Sequence, residues 1–196
     1  MKTIKVPRFL KSGLKAVLPL MVLFIFNSLN IQAQENDSLK VSSQKHSIQV
    51  NALEVLARVY SVVYLYEFSP KNKIMLGAAY ENINYDFGQA HALALIVGYR
   101  RYIWKGFNVE YALWPAYNSF YEKNENKYYN GLELWSEFRA GYDFKINFKK
   151  IAFAITPQLL LGKGLIAGNK PQSFIDYGKN EEPYFLAGNI AFSVLF

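Results

Sequence analysis

The stretch Tyr184-Phe185-Leu186-Ala187-Gly188-Asn189-Ile190-Ala191-Phe192-Ser193-Val194-Leu195-Phe196 decides the fold. Its even positions are Tyr184, Leu186, Gly188, Ile190, Phe192, Val194 and Phe196, all but the glycine apolar or aromatic. Its odd positions are mostly small or polar, with Ala187, Asn189, Ala191 and Ser193. Side chains on a strand alternate between faces, so this period of two predicts a β-strand with one apolar and one small, polar face.

The same alternation recurs upstream. It predicts seven further strands, at about 46–54, 57–68, 73–84, 91–103, 107–119, 131–146 and 150–163. The sixth is the most regular. Leu132, Leu134, Phe138, Tyr142, Phe144 and Ile146 share one face, against Glu133, Trp135, Glu137, Arg139, Gly141, Asp143 and Lys145. Turn residues separate the strands, as at Ser69-Pro70-Lys71-Asn72-Lys73 and Lys105-Gly106. Connections after the second, fourth and sixth strands read as short. Those after the third, fifth and seventh read as longer, the last running from Gly164 to Pro183. Pro115 and Pro157 fall inside strands, where each removes a ladder donor and signals a bulge or a shorter strand.

The N-terminus reads as an export signal. Lys2, Lys5, Arg8, Lys11 and Lys15 precede the apolar run 16–26, and Ala33 suits cleavage, so 1–33 is expected to be a signal peptide. Residues 34–45 read as a disordered lead-in and 46–196 as one domain. The chain's 22 basic and 15 acidic residues fall to 17 and 15 once the leader is gone, which removes the case for nucleic-acid binding. There is no cysteine, and no run of eighteen apolar residues that would make a membrane helix. Thirty aromatic residues remain after the leader. An exported chain without a membrane helix can still cross a membrane as a closed barrel, where every backbone group pairs with a neighbouring strand.

Three features place the apolar face outward. The polar face carries Glu67, Glu81, Arg100, Glu110, Glu133, Glu137, Arg139, Asp143 and Lys145, the expected interior network, with Gly77, Gly98, Gly141 and Gly162 making room for it. An eight-stranded barrel is just wide enough for its interior to be filled by side chains, and charges there must pair. Aromatic residues gather at both ends of the apolar face: Phe68, Trp104, Phe107, Phe144, Phe148 and Phe196 at one, Tyr80 and Tyr117 with Leu132 at the other. The third feature is the terminal phenylalanine itself. A soluble lipocalin-like barrel, the alternative, would bury its apolar face and has no use for that ending. The expected fold is therefore all-β, a single antiparallel up-and-down transmembrane barrel of about eight strands.

The leader, the alternating strands, the Tyr66-Glu67 pair before a Ser-Pro turn and the Phe192–Phe196 ending together resemble small eight-stranded outer-membrane barrels of the OmpA/OmpX-like group, in particular those common in Bacteroidota. The resemblance implies a multi-pass barrel in the Gram-negative outer membrane with both termini periplasmic. It also implies contact with lipid and lipopolysaccharide, and an assembly signal read by the barrel-assembly machinery at Tyr184, Ile190, Phe192, Val194 and Phe196. Such groups include anchors, adhesins, binding surfaces and a few lipid-modifying enzymes, so the fold alone does not fix the activity.

For function, the loops are the first place to look. Phe120, Tyr121, Tyr128 and Tyr129 flank an asparagine-rich tip, and Phe174, Ile175 and Tyr177 lie in the last loop; these are candidate contacts for an extracellular ligand of unknown identity, or girdle residues. An enzyme acting on lipid A or phospholipid is the alternative. It would have to use His91, with Glu81, Asp86 and Ser119 as possible neighbours, since His46 lies at the other end. A channel is disfavoured because Trp114, Trp135 and the charges fall inside. No spaced histidine pair or phosphate-binding glycine loop is present, so neither a metal nor a cofactor is expected. A non-enzymatic structural or surface-binding barrel is the leading expectation.

Overall fold

A computed structural model describes residues 44–148, 151–179 and 184–196, so the expected signal peptide and most of the lead-in lie outside the described residues. The strands are β1 (His46–Asn51), β2 (Val59–Ser69), β3 (Asn72–Tyr85), β4 (Gly88–Trp104), β5 (Phe107–Glu122), β6 (Lys127–Tyr142), β7 (Phe144–Asn147), β8 (Ala152–Ile166) and β9 (Tyr184–Leu195). A helix, α1 (Gln172–Lys179), lies in the β8–β9 connection.

The strands pair antiparallel in chain order from β1 to β6. β8 then pairs with both β6 and β7, β9 pairs with β8, and β9 returns to β1. The sheet thus closes on itself. Closure ties the two termini of the unit together: the amide of His46 donates to Phe196 at 3.1 Å and the amide of Phe196 donates back at 2.9 Å. The end carrying them is called here the terminal rim, and the opposite end the loop end.

The ring has eight strands because β6 and β7 are two parts of one. Their residues meet β8 in a single register, Gly141 opposite Gln158 and Phe144 opposite Ile155. The lapse between them falls at Tyr142 and Asp143, facing Pro157 and Thr156 across the ladder. Pro157 has no N–H to give, so the ladder fails there and resumes unshifted. Pro115 acts likewise: the β4–β5 pairing lapses between Ala94↔Ala116 and Val97↔Leu113 and resumes in the same register. Neither proline makes a bulge or ends a strand. Each keeps full pairing on its other side, with Leu134 and Ile190 respectively.

Several expected boundaries change. β1 stops at Asn51, and a short 3-10 turn at Glu54–Ala57 replaces the predicted end of the first strand and start of the second. Lys45, placed in the lead-in, already accepts a ladder bond from the Glu67 amide at 2.7 Å. The β3–β4 connection is Asp86-Phe87 alone, not a longer loop, because the ladder runs on to Tyr85↔Gly88.

Inside and outside divide by residue parity. Ile48, Val62, Leu76, Leu95, Val97, Phe138, Phe153, Leu161, Leu186 and Phe192 point out of the ring, each between about two-fifths and three-fifths exposed. The inward positions carry an apolar cluster on β2–β5, of Val63, Leu65, Met75, Ala79, Ala92, Ala94, Ile96, Ala112, Trp114 and Ala116, and a smaller one of Ala152, Ala154 and Leu195 on β8 and β9. Buried polar residues are spread around the ring, from Lys73, Arg100, Asn108 and Glu110 on β3–β5 to Gln49, Arg139, Gln158 and Asn189 on β1, β6, β8 and β9.

Candidate functional site

Two arginines organise the polar residues of the interior. Arg100 on β4 lies 2.6 Å from Glu110 on β5, donates to Gln49 on β1 at 2.5 Å, and stands 3.9 Å from Asp143. Asp143 sits where the sixth strand is interrupted, and it accepts from Tyr102 at 2.7 Å and from Asn108 and Thr156 at 2.9 Å each. Gln158 donates to Glu110 at 2.6 Å, and Asn189 donates to Gln158 and to Asn51 at 3.0 Å each. Arg139 on β6 meets Glu137 at 2.5 Å and Glu54 at 2.8 Å. Glu54 reaches down from the 3-10 turn and also accepts from Asn51 and Ser61. Asn51 therefore joins the two arginine clusters into one network touching nearly every strand.

The nine expected interior residues do not all belong to it. Arg100, Glu110, Glu137, Arg139 and Asp143 form this network. Glu133 is buried nearer the loop end and pairs with Lys170 at 2.7 Å. Glu67 lies at the terminal rim, 3.6 Å from Lys73. Glu81 is on the inner face of β3, partly buried, with no ion pair among the described residues. Lys145 is a correction: it is exposed at the terminal rim, because β7 carries it past the end of the packed interior, and its Nζ lies 5.3 Å from the Tyr102 ring centre.

Sequence reasoning missed the uncharged half of this network. Gln49, Asn51, Asn108, Gln158 and Asn189 are all fully or nearly fully buried. Their signal was inward parity on polar strand faces. Lys73 was read as part of a turn, yet it is one of the most buried side chains, since the turn is only Pro70-Lys71 and Lys73 already has inward parity. The room left by glycine is used unevenly. A Cβ on Gly141 would come within 2.8 Å of Gln158, so that glycine does admit the network, but one on Gly162 would meet the Phe185 ring.

At the loop end the β8–β9 connection folds over the barrel mouth. Phe174 of α1 is buried, with ring centres 4.4 Å from Phe120, 4.8 Å from Phe87 and 4.9 Å from Tyr85. Ser173 donates to Glu122, and Lys170 sits on Glu133 with the Phe120 ring centre 5.1 Å away. Exposed Asp176 accepts from Lys179 and Gln172, which holds its carboxyl below the usual range. Two of the expected contact residues are thereby corrected. Phe120 and Phe174 are core of this lid rather than exposed, and Tyr177 packs against Tyr85. Tyr121 and Tyr128 do pair on the outside, ring centres 5.0 Å apart, while Tyr129 is partly buried and bonded to Glu125.

The histidines are engaged by tyrosines. His91 lies 3.0 Å from the Tyr80 hydroxyl on the outer face, while Glu81 takes the opposite parity and faces inward. Ser119 is the cross-strand partner of His91. His46 lies 2.6 Å from the Tyr64 hydroxyl and stacks on Phe196. The other expected signal residues, Tyr184, Ile190, Phe192 and Val194, share the outward parity of Phe196.

No protein-family model and no curated protein sequence matches the chain. Among solved structures, the chain is similar to the crystal structure of the N-terminal beta-barrel domain of Pseudomonas aeruginosa OprF. The identity is 13% and the TM-score 0.45, with 77% of this chain and 96% of that chain covered.

Proposed function

We propose that the protein is an integral outer-membrane β-barrel, non-enzymatic, with its interior acting as a structural plug and its loop end facing the cell exterior. One observation carries the reading: a closed ring wears an apolar belt on its outside. At about 3.3 Å per residue and a tilt of about 45°, the outer face of β4 from Leu93 to Ile103, apolar except for exposed Arg101 toward the terminal rim, rises roughly 23 Å, close to the apolar band such barrels present to lipid. In water so large an apolar surface would drive association. In a bilayer it is the solvated face.

Aromatic positions support the same placement. Phe68, Trp104, Phe107, Phe148 and Phe196 ring the terminal rim, and Tyr60, Tyr80, Tyr117 and Tyr184 lie toward the loop end, all exposed. Trp and Tyr favour the interfacial level, where a ring can be apolar on one side and wet on the other. Rings also reach further in, as in the cross-strand row Tyr99↔Tyr111↔Phe138. The outward row Tyr184, Ile190, Phe192, Val194 and Phe196 is the surface the assembly machinery would read. Exposed Tyr128, packed beside half-buried Tyr121, is the surface left for lipopolysaccharide or an extracellular ligand. The non-enzymatic reading draws support from His91, whose ring is taken by Tyr80 on the face away from Glu81.

Membrane fractionation followed by an unboiled gel tests this. The protein is expected in the outer-membrane fraction, with a mobility that changes on boiling. Recovery in the soluble periplasmic fraction, or identical mobility before and after boiling, would overturn it.

A further inference from the structure

The terminal rim holds a cleft of about 220 Å³, bounded by the β2–β3 turn, the β4–β5 turn and β7. Its charged lining is Glu67, Lys71, Lys105 and Lys145. The one carboxylate is already engaged, 3.6 Å from Lys73, whose Nζ lies 5.6 Å from the centre of the same Tyr102 ring that Lys145 covers. Asp143, the next carboxylate inward, is saturated by Tyr102, Asn108 and Thr156. Among the described residues no carboxylate lies within ion-pair distance of Lys71, Lys105 or Lys145. Three lysines thus line an open cleft beside a single carboxylate that is paired with Lys73.

Trp104 forms the outer wall of the cleft, exposed on the lipid-facing side, with the Lys105 Nζ 4.9 Å from its ring centre. Phe107 is its cross-strand partner and is also exposed, as is Phe68 at the same rim. The cleft therefore opens at the depth where acyl chains give way to phosphates. We propose that it is a binding site for an anionic phospholipid, its headgroup phosphate seated among Lys71, Lys105 and Lys145 and its acyl chains running up the belt beside Trp104 and Ile103. This rests on the membrane placement above.

The full chain, folded into vesicles of phosphatidylcholine alone or phosphatidylcholine mixed with phosphatidylglycerol, is extracted into detergent and its retained lipid counted by native mass spectrometry. Phosphatidylglycerol is expected to be retained in preference. The triple variant K71Q/K105Q/K145Q should lose it, by about fivefold for each lysine neutralised. A matched triple at the loop end, K127Q/K163Q/K179Q, should leave retention unchanged. Equal retention of both lipids, an equal loss in both variants, or no loss in the rim variant would overturn the proposal. So would displacement of the lipid by inorganic phosphate, which would make this a free-phosphate site. Gel mobility in the phosphatidylcholine vesicles reads insertion separately. A barrel that inserts but does not discriminate sinks the cleft alone, whereas one that fails to insert takes the membrane reading with it.

Discussion

Arg100 is the residue whose loss the interior can least tolerate. It is 2% exposed and neutralises Glu110 while helping to hold Asp143. Arg100→Met leaves two buried carboxylates facing each other and should lower the unfolding free energy by about 3–5 kcal/mol. Adding Glu110→Leu removes one of them and should recover much of that. Urea titration in vesicles, followed by tryptophan fluorescence, checks both; a single variant as stable as the parent would show the pair to be dispensable. Gly141→Leu probes packing rather than charge. Its side chain would enter the space of Gln158 and Thr156, and the same titration should show a loss of about 1–3 kcal/mol. At this scale the charged residues were legible from inward parity, and six of the nine expected carboxylates and bases are buried there. The buried amides were not, because an Asn or Gln on a strand face reads the same whether it meets water or a carboxylate. Lys145 was misplaced for a related reason: parity tells which way a side chain points but not where along the strand the packed interior ends.

At the scale of elements, the strands were legible to within a few residues because alternation is imposed by the pleat itself. The proline sites were the exception, since sequence shows a missing donor but not which neighbour it faces. Helix α1 was not foreseen either. Its eight residues are too few to set up a helical period, and it is held by tertiary contacts through Phe174. That makes it separable from the ring. Phe174→Ser should release the lid while the barrel keeps its unboiled gel mobility, and trypsin should then cut after Lys179 much faster than in the parent. Unchanged cleavage would mean that the lid is pinned by Lys170 and Ser173 instead.

For the whole molecule, the direction of the apolar face is the property on which everything functional depends. Leu95 lies at mid-height on the outside, 58% exposed. Leu95→Arg should cost about 2–4 kcal/mol when the barrel is refolded into vesicles, as expected for a cation at the bilayer midplane. In a barrel standing in water the same change would be neutral or stabilising, so refolding yields of the variant separate the two. The architecture was readable from the sequence because it is written in a long-range pattern of alternation. The lid and the interior network depend on which strands become neighbours, and no single strand records that.

The β1–β9 seam joins the ends of the ring through five residue pairs, whereas β5 and β6 share sixteen. Adjacent strands can zip as hairpins early, each closing a short loop. The seam has to wait for segments about 140 residues apart to find each other, and loop-closure entropy makes it slow. Until it forms, the sheet has two raw edges able to recruit other chains. The yield of this protein is therefore a race between ring closure and capture by a neighbour, decided by time rather than by the stability of the finished barrel.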